Sequence, residues 1–192
     1  MSPMRLALAI ALAALGAGCA SSPPTQFFTL EPIPASHPAP EVPHGPIQIV
    51  AVHIPPLLDR DQIVREGSPG ALIVSDRHRW GAPLGEMMRG VLTQDLLLRL
   101  PAGAVVLPQQ PAPPQTNTLT VDVLRFVADA SGNVILEGAW SLVPPGSDTS
   151  TVNLGIHITE PAGGADYAQQ AHAMSLAVAQ LADEIAGLVS RR

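Results

Sequence analysis

The sequence contains no lysine, a single cysteine and few aromatic residues: two tryptophans, one tyrosine and three phenylalanines. Each shortage excludes something. Without lysine, ten arginines face sixteen acidic residues, and the formal charge is −6. Nucleic-acid binding needs clustered Lys and Arg against phosphate, so a nucleic-acid partner is not expected. One thiol cannot close a disulfide within the chain. The longest uninterrupted apolar run, Leu6 to Leu15 (LALAIALAAL), is half the length of about 20 residues that a membrane-spanning helix needs. No second run of that length follows, so the mature chain is not expected to span a bilayer. Motifs for chemistry are missing as well. There is no G-x-S-x-G nucleophile elbow, no G-x-G-x-x-G or Walker loop and no H-E-x-x-H. The six histidines (His37, His44, His53, His78, His157, His172) show no metal-ligand spacing. Neither a metal site nor a resident cofactor is expected, and the chain does not look like an enzyme.

What is present begins at the N-terminus. Arg5 precedes the apolar run, and Gly16-Ala17-Gly18 follows it. A charged start, a short apolar stretch and small residues form the order of a secretory signal peptide over residues 1–18. The lone Cys19 stands directly after it. The stretch resembles a bacterial lipoprotein signal, in which the cysteine becomes the mature N-terminus and carries a diacylglyceryl group and an N-acyl chain. An ordinary cleaved secretory peptide beside an incidental thiol is the alternative. Two or more acyl chains anchor stably, since each buried CH₂ contributes about 0.8 kcal/mol. Loss of Arg5 with the signal peptide takes the formal charge from −6 to −7. Ala20 rather than Asp follows the cysteine, which in such lipoproteins favours the outer membrane.

The 21 prolines divide the rest. Glu31 to Pro46 (EPIPASHPAPEVPHGP) cannot bury enough surface to fold alone and reads as an extended tether. At about 3.1 Å per residue it would reach roughly 50 Å. A proline-rich loop lying on the domain is the other reading, and Gln26–Leu30 just before it looks like a short strand. The organisation is therefore a lipidated N-terminus and tether over 19–46 and one folded domain over 47–192.

Within that domain Ile47–Leu58 opens with a strand ended by Pro55-Pro56. Gln62–Glu66 and Ala71–Ser75 flank a Gly-Ser-Pro-Gly turn and predict a hairpin. Pro83 to Leu100 predicts a helix with Leu84, Met87, Met88, Val91, Leu92, Leu96 and Leu98 on its apolar face. Asp95 falls on the same face, and needs Arg99 one turn on, or backbone donors, as partners. Ala104–Pro108 is a short strand. Thr118–Ala130 and Val134–Val143 join across Ser131-Gly132-Asn133 as a second hairpin. Thr151–Glu160 alternates as a half-exposed strand. Asp166–Val189 is a second helix, with Tyr167, Met174, Val178, Leu181, Ile185 and Leu188 at helical spacing. Segregated helices and sequential hairpins predict an α+β two-layer domain: a mainly antiparallel sheet with two principal helices.

Two clusters carry charge beside apolar groups. Asp59-Arg60-Asp61 is a turn held by local ion pairs and side chain to backbone bonds or, less simply, an acid–base pair. Asp76-Arg77-His78-Arg79-Trp80 is either a contact patch for protein or lipid headgroups, or a tryptophan that anchors the helix start beside solvated arginines.

Five segments, in this order, resemble the ABC-type transport auxiliary lipoproteins: SSPPTQFFTL, IPPLLDRDQIVRE, RWGAPLGEMMRGVLTQDLLLRLP, VDVLRFVADASGNVILEGAWSL and DYAQQAHAMSLAVAQLADEIAGLV. The resemblance is strongest to the paraquat-inducible type lipoproteins that accompany mammalian-cell-entry (MCE) proteins. It implies a non-enzymatic docking or tethering module of an MCE-type intermembrane phospholipid transport system. Such a protein is lipid-anchored in the outer membrane, faces the periplasm and binds an MCE-domain protein and outer-membrane lipids; a homo-oligomer is left open. The family's Pro-x-Leu-Asp-Arg-x-Gln-Ile segment matches Pro56, Leu58, Asp59, Arg60, Gln62 and Ile63. Its Arg-Trp-x-x-Pro-Leu segment matches Arg79, Trp80, Pro83 and Leu84. These ten are the candidates for binding the partner or shaping the surface that does. The family pattern has an amide where this chain has Asp95. A stand-alone lipid-binding or structural envelope lipoprotein, without a transporter, is the competing reading.

Overall fold

The structure is a computed structural model that describes residues 23–35, 45–164 and 166–191. In chain order the elements are β1 (Gln26–Phe28), β2 (Ile47–His53), β3 (Gln62–Glu66), β4 (Leu72–Trp80), α1 (Leu84–Arg99), β5 (Val105–Val106), β6 (Asn117–Ala128), β7 (Asn133–Val143), β8 (Val152–Pro161) and α2 (Tyr167–Val189). Cys19 and the signal peptide expected over 1–18 lie outside the described residues, as do 36–44 of the expected tether.

The strands follow from alternation. Val134, Leu136, Trp140 and Leu142 of β7 turn inward, as do Val152, Ile156 and Ile158 of β8. Their neighbours Glu137, Ser141, Asn153 and His157 sit on the opposite, solvated face. The β6–β7 turn is closed by Asp129, whose Oδ1 accepts from the backbone N–H of Ser131 and of Asn133, both at 2.8 Å. Gly132 occupies it with φ +83°, a conformation that suits glycine.

Pro83 starts α1 where its missing N–H costs nothing, and Pro101 follows the helix end. The side chain of Asp166 caps α2 by accepting from Ala168 N–H at 3.1 Å. Buried alanines at 171, 173, 177, 182 and 186 keep α2 thin on its inner side and let it lie close to β7 and β8. Both helices cover one face of the sheet. The shared core includes Trp140, Phe126, Met88, Leu92, Leu96, Leu181 and Ile185. No helix among the described residues is long and apolar enough to cross a membrane.

The fold is α+β with two principal helices, as expected, but the eight-stranded sheet is mixed rather than mainly antiparallel. The three pairs between chain neighbours, β3–β4, β6–β7 and β7–β8, are antiparallel. The pairs between strands distant in sequence, β1–β4, β2–β5, β2–β6 and β3–β6, are parallel. Hairpins announce themselves through their turns. Parallel pairs need crossovers, which pass through α1 for β2–β5, β2–β6 and β3–β6 and leave no local mark on either strand.

The apolar face of α1 also departs from expectation in one place. Leu98 points to solvent, 49% exposed, while Asp95 and Arg99 are buried with Leu96. Ionic contacts described below place those two groups inside.

Candidate functional site

The ten candidate residues converge on one corner of the domain. After β2 the chain turns at Pro55, whose carbonyl accepts from Leu58 N–H (2.8 Å) and Asp59 N–H (3.1 Å). Backbone bonds close this turn, where the sequence suggested local ion pairs and side chain to backbone bonds. Leu58 folds inward while Pro56, Asp59 and Arg60 stay exposed, and Leu57 between them is 49% exposed. Gln62 lies opposite Arg79 in the β3–β4 ladder, both half-buried. Trp80 N–H donates to the Asp61 carbonyl at 2.7 Å, and Gly81 N–H to the Phe28 carbonyl at 2.8 Å. Leu58, Ile63, Trp80 and Leu84 are interior, and Pro83 is exposed at the start of α1. Trp80, only 5% exposed, lines a small interior cavity together with Leu58, Leu84 and Phe126. Buried apolar members thus support an exposed rim of Pro56, Leu57, Asp59 and Arg60. Trp80 has the anchoring position rather than the contact position of the two read from the sequence.

A second arrangement concerns the N-terminal segment. Gln26–Phe28 form the short strand expected just before the proline-rich stretch, and residues 31–33 of that stretch lie on the domain rather than leading away from it. β1 pairs with the end of β4. Leu30 is buried in the core. Glu31 N–H donates to Ser175 Oγ of α2 at 3.0 Å, and Ile33 N–H to Asp95 Oδ1 of α1 at 2.8 Å. The Ile33 carbonyl accepts from Arg99 Nη1 at 3.1 Å. Proline-rich backbone offers few donors, and here the N–H groups of Glu31 and Ile33 each meet a helix side chain. The sequence signals for this were the short strand at Gln26–Leu30 and the charged pair Asp95 and Arg99 on an apolar face.

Arg99 is the hub. Its Nε donates to Asp183 Oδ1 at 2.7 Å and its Nη2 to Asp183 Oδ2 at 3.3 Å, a two-pronged bond from α1 to α2. Its Nη1 also donates to the Asp95 carbonyl at 3.0 Å and stands 3.6 Å from Asp95 Oδ1. The second carboxylate oxygen of Asp95 is buried without a hydrogen-bond partner. Burial pushes the Asp95 carboxyl up from 3.8 to about 6, helped by Asp183 and opposed by Ile33 N–H and by Arg99. With all three groups ionised, the cluster holds two negative charges and one positive.

A prediction follows for Asp95→Asn. The fold prefers the neutral acid, so between about pH 4 and 6 the folded chain holds a proton that the unfolded chain has released. This contribution to stability is full below that window and is lost as pH rises through about 6. Asparagine keeps an acceptor for Ile33 N–H and leaves Arg99 paired with Asp183. The variant should gain roughly 1–3 kcal/mol over the parent at pH 7.5 and little at pH 4. Urea unfolding at both pH values measures it. A variant less stable than the parent at pH 7.5 would show that the Asp95–Arg99 attraction outweighs the desolvation of the carboxylate.

A stack of side chains fastens the same segment further up. Arg65 lies over the Tyr167 ring at 3.7 Å, Tyr167 stacks on His78 at 3.9 Å, and His78 meets Phe28 of β1 at 5.9 Å. Arg65 Nε also donates to Gln170 Oε1, and Gln170 Nε2 to the Val64 carbonyl at 3.2 Å.

Among the described residues no group of three or more His, Cys, Asp or Glu side chains could hold a metal ion. His53 and Asp122 form a 2.6 Å pair on the exposed face. Two clefts of about 210 and 260 Å³ flank Arg65 and Phe27 respectively. The arrangement offers fastening and surface rather than a nucleophile with its base.

A family model described as the ABC-type transport auxiliary lipoprotein component matches residues 28–186. Among curated proteins, the Intermembrane transport lipoprotein PqiC of Escherichia coli (strain K12) is 30% identical over 91 residues, 47% of this chain and 48% of that protein. The protein of the same name from Shigella flexneri matches equally. The chain spans about half the length of these curated relatives. A crystal structure of an uncharacterized protein superposes with TM-score 0.73 at 20% identity, covering 88% of this chain and all of the other. A crystal structure from Xanthomonas campestris superposes with TM-score 0.68 at 19% identity, covering 84% of this chain and 93% of the other. At these identities the two structures speak for the fold alone.

Proposed function

Since the chain belongs to the ABC-type transport auxiliary lipoprotein family, we propose that it is the outer-membrane-anchored docking module of an MCE-type intermembrane lipid transport system. In this reading acyl chains on Cys19 hold the protein at the periplasmic side of the outer membrane. The folded body gives an MCE-domain protein a fixed place to bind, and no covalent chemistry is done. The relatives named for intermembrane transport support the direction of this reading.

The observation that carries it is the fastening of residues 26–33. A lipid anchor on a free tether would let the body drift by tens of ångströms. Here the segment leading from the anchor is fixed to β4 by strand pairing and to both helices by Ser175, Asp95 and Arg99. The body is then separated from its anchor by the few residues before Gln26 rather than by a long tether, which suits a docking platform. The exposed rim of Pro56, Leu57, Asp59 and Arg60, backed by buried Leu58 and Trp80, is the first candidate for the contact with the MCE protein.

Cys19→Ala is the test. The expected result is a folded protein that leaves the membrane fraction for the periplasm, with lipid transport impaired. The single thiol lies outside the described residues, and circular dichroism and thermal unfolding of the purified variant should match the parent. Full transport by a variant shown to be unanchored would overturn the anchoring mechanism.

A further inference from the structure

The β3–β4 hairpin carries an apolar, half-exposed tip. Its turn, Ser68 to Gly70, is exposed, and the next large residues, Leu72, Ile73 and Val74, are 41%, 52% and 39% exposed. Along a strand with one face packed, exposure alternates. Three in a row mean that neither face is fully covered at this point. From Gly67 to Ser75 the sequence has no charged residue. Glu66, at its border, is engaged by Arg125, whose Nε donates to Oε1 at 2.7 Å. Such a tip suits an apolar interface rather than attraction by charge.

The second observation is direction. β1 runs parallel to β4, with Gln26 beside His78 and Phe28 beside Trp80. The start of β4 is the hairpin tip, so Pro23 to Thr25 enter β1 from the side of that tip. Cys19 is seven residues before Gln26, which limits its distance from Gln26 to about 25 Å. Leu72 is six residues before His78, about 20 Å along the strand. A membrane that takes acyl chains from Cys19 is therefore held within reach of the tip.

We propose that Leu72, Ile73 and Val74 insert into the interfacial layer of the same membrane that holds the acyl chains, so that the body touches lipid at a second point. The occupant of the tip is a phospholipid surface. This rests on the reading that Cys19 is acylated, and it goes beyond it by fixing which end of the body faces the bilayer.

The test uses the full chain, purified from membranes and reconstituted into phosphatidylethanolamine–phosphatidylglycerol vesicles with brominated acyl chains. Ile73→Trp, with Leu72→Trp as a second probe, places a reporter at the tip. Leu154→Trp on β8, at the opposite side of the sheet from β1 and β4, is the control. The native Trp80 and Trp140 are buried and supply the background. The tip reporter should shift to the blue and be quenched about twofold or more, the depth expected of an interfacial contact, while the control is unchanged. Co-flotation of the protein with an unquenched tip would overturn the inference and leave the anchoring reading standing. Failure to co-float, with Cys19 free of lipid by mass, would defeat the anchoring reading and this inference with it. A blue shift that grows with protein concentration in the absence of lipid would mean that a second copy covers the tip, and would also overturn the proposal.

Discussion

Replacing Arg99 with alanine should cost roughly 3–5 kcal/mol and release the N-terminal segment from the helices. The side chain is 2% exposed. It bonds Asp183 with two nitrogens and donates to the carbonyls of Ile33 and Asp95. Its removal leaves Asp95 and Asp183 facing each other with no cation between them. It also takes the Arg99 donor away from the Ile33 carbonyl. Burial already holds the Asp95 carboxyl up at about 6, so without Arg99 it should rise further. Arg99→Lys separates charge from shape. A lysine keeps the positive charge but a single ammonium cannot match the fork that meets four acceptors, so recovery should be partial. Urea unfolding gives the magnitude, and limited proteolysis around residues 31–35 reports whether the segment has come loose. An Arg99→Ala protein within about 0.5 kcal/mol of the parent would mean that the cluster contributes no net stability, as isolated surface pairs often do.

Gly138→Val should be of similar or greater effect, from a different cause. β6 carries one extra residue between Val123 and Arg125, and Leu124 bulges outward there, 76% exposed. The bulge presses the backbone of β6 against β7. A Cβ at position 138 would stand 2.2 Å from the Asp122 carbonyl oxygen and 3.1 Å from Val123 Cα. Both are main-chain atoms in the middle of the sheet, so neither can move without breaking the ladder. The loss should be about 3 kcal/mol or more, and the variant should be recovered poorly from cells. Gly155→Ala on β8 is the control. A Cβ there meets first the end of the His157 ring at 3.2 Å, which can swing aside. Its cost should stay under about 1 kcal/mol. Equal stability for Gly138→Val and the parent would contradict the register assigned around the bulge.

Local features of this protein were legible before any coordinates. The turns Gly67–Gly70 and Ser131–Asn133 announced two hairpins, and the spacing of Leu84, Met88, Val91 and Leu92 announced α1. What escaped was non-local. Nothing in Ile47–His53 says that it lies parallel to Asn117–Asp122, because the partner is supplied by a crossover through α1. The fastening of Glu31 and Ile33 was hidden for a related reason. Proline-rich composition describes what a segment does alone, and here Ser175, Asp95 and Arg99 supply bonds from far along the chain. Asp95 was readable as a problem, a carboxylate on an apolar face. Its solution by Ile33 N–H was not. In the candidate corner the two motif segments lie together, and which of their residues face outward depends on the tuck of Leu58 and Trp80.

The most direct measurement is capture of the tagged, full-length protein from cell envelopes in mild detergent, with the captured chains identified by mass spectrometry. The account predicts an MCE-domain protein as the main partner, lost when Leu57 and Arg60 on the exposed rim are replaced together by aspartate. A protein that is recovered alone under conditions that keep a known envelope complex intact would contradict it.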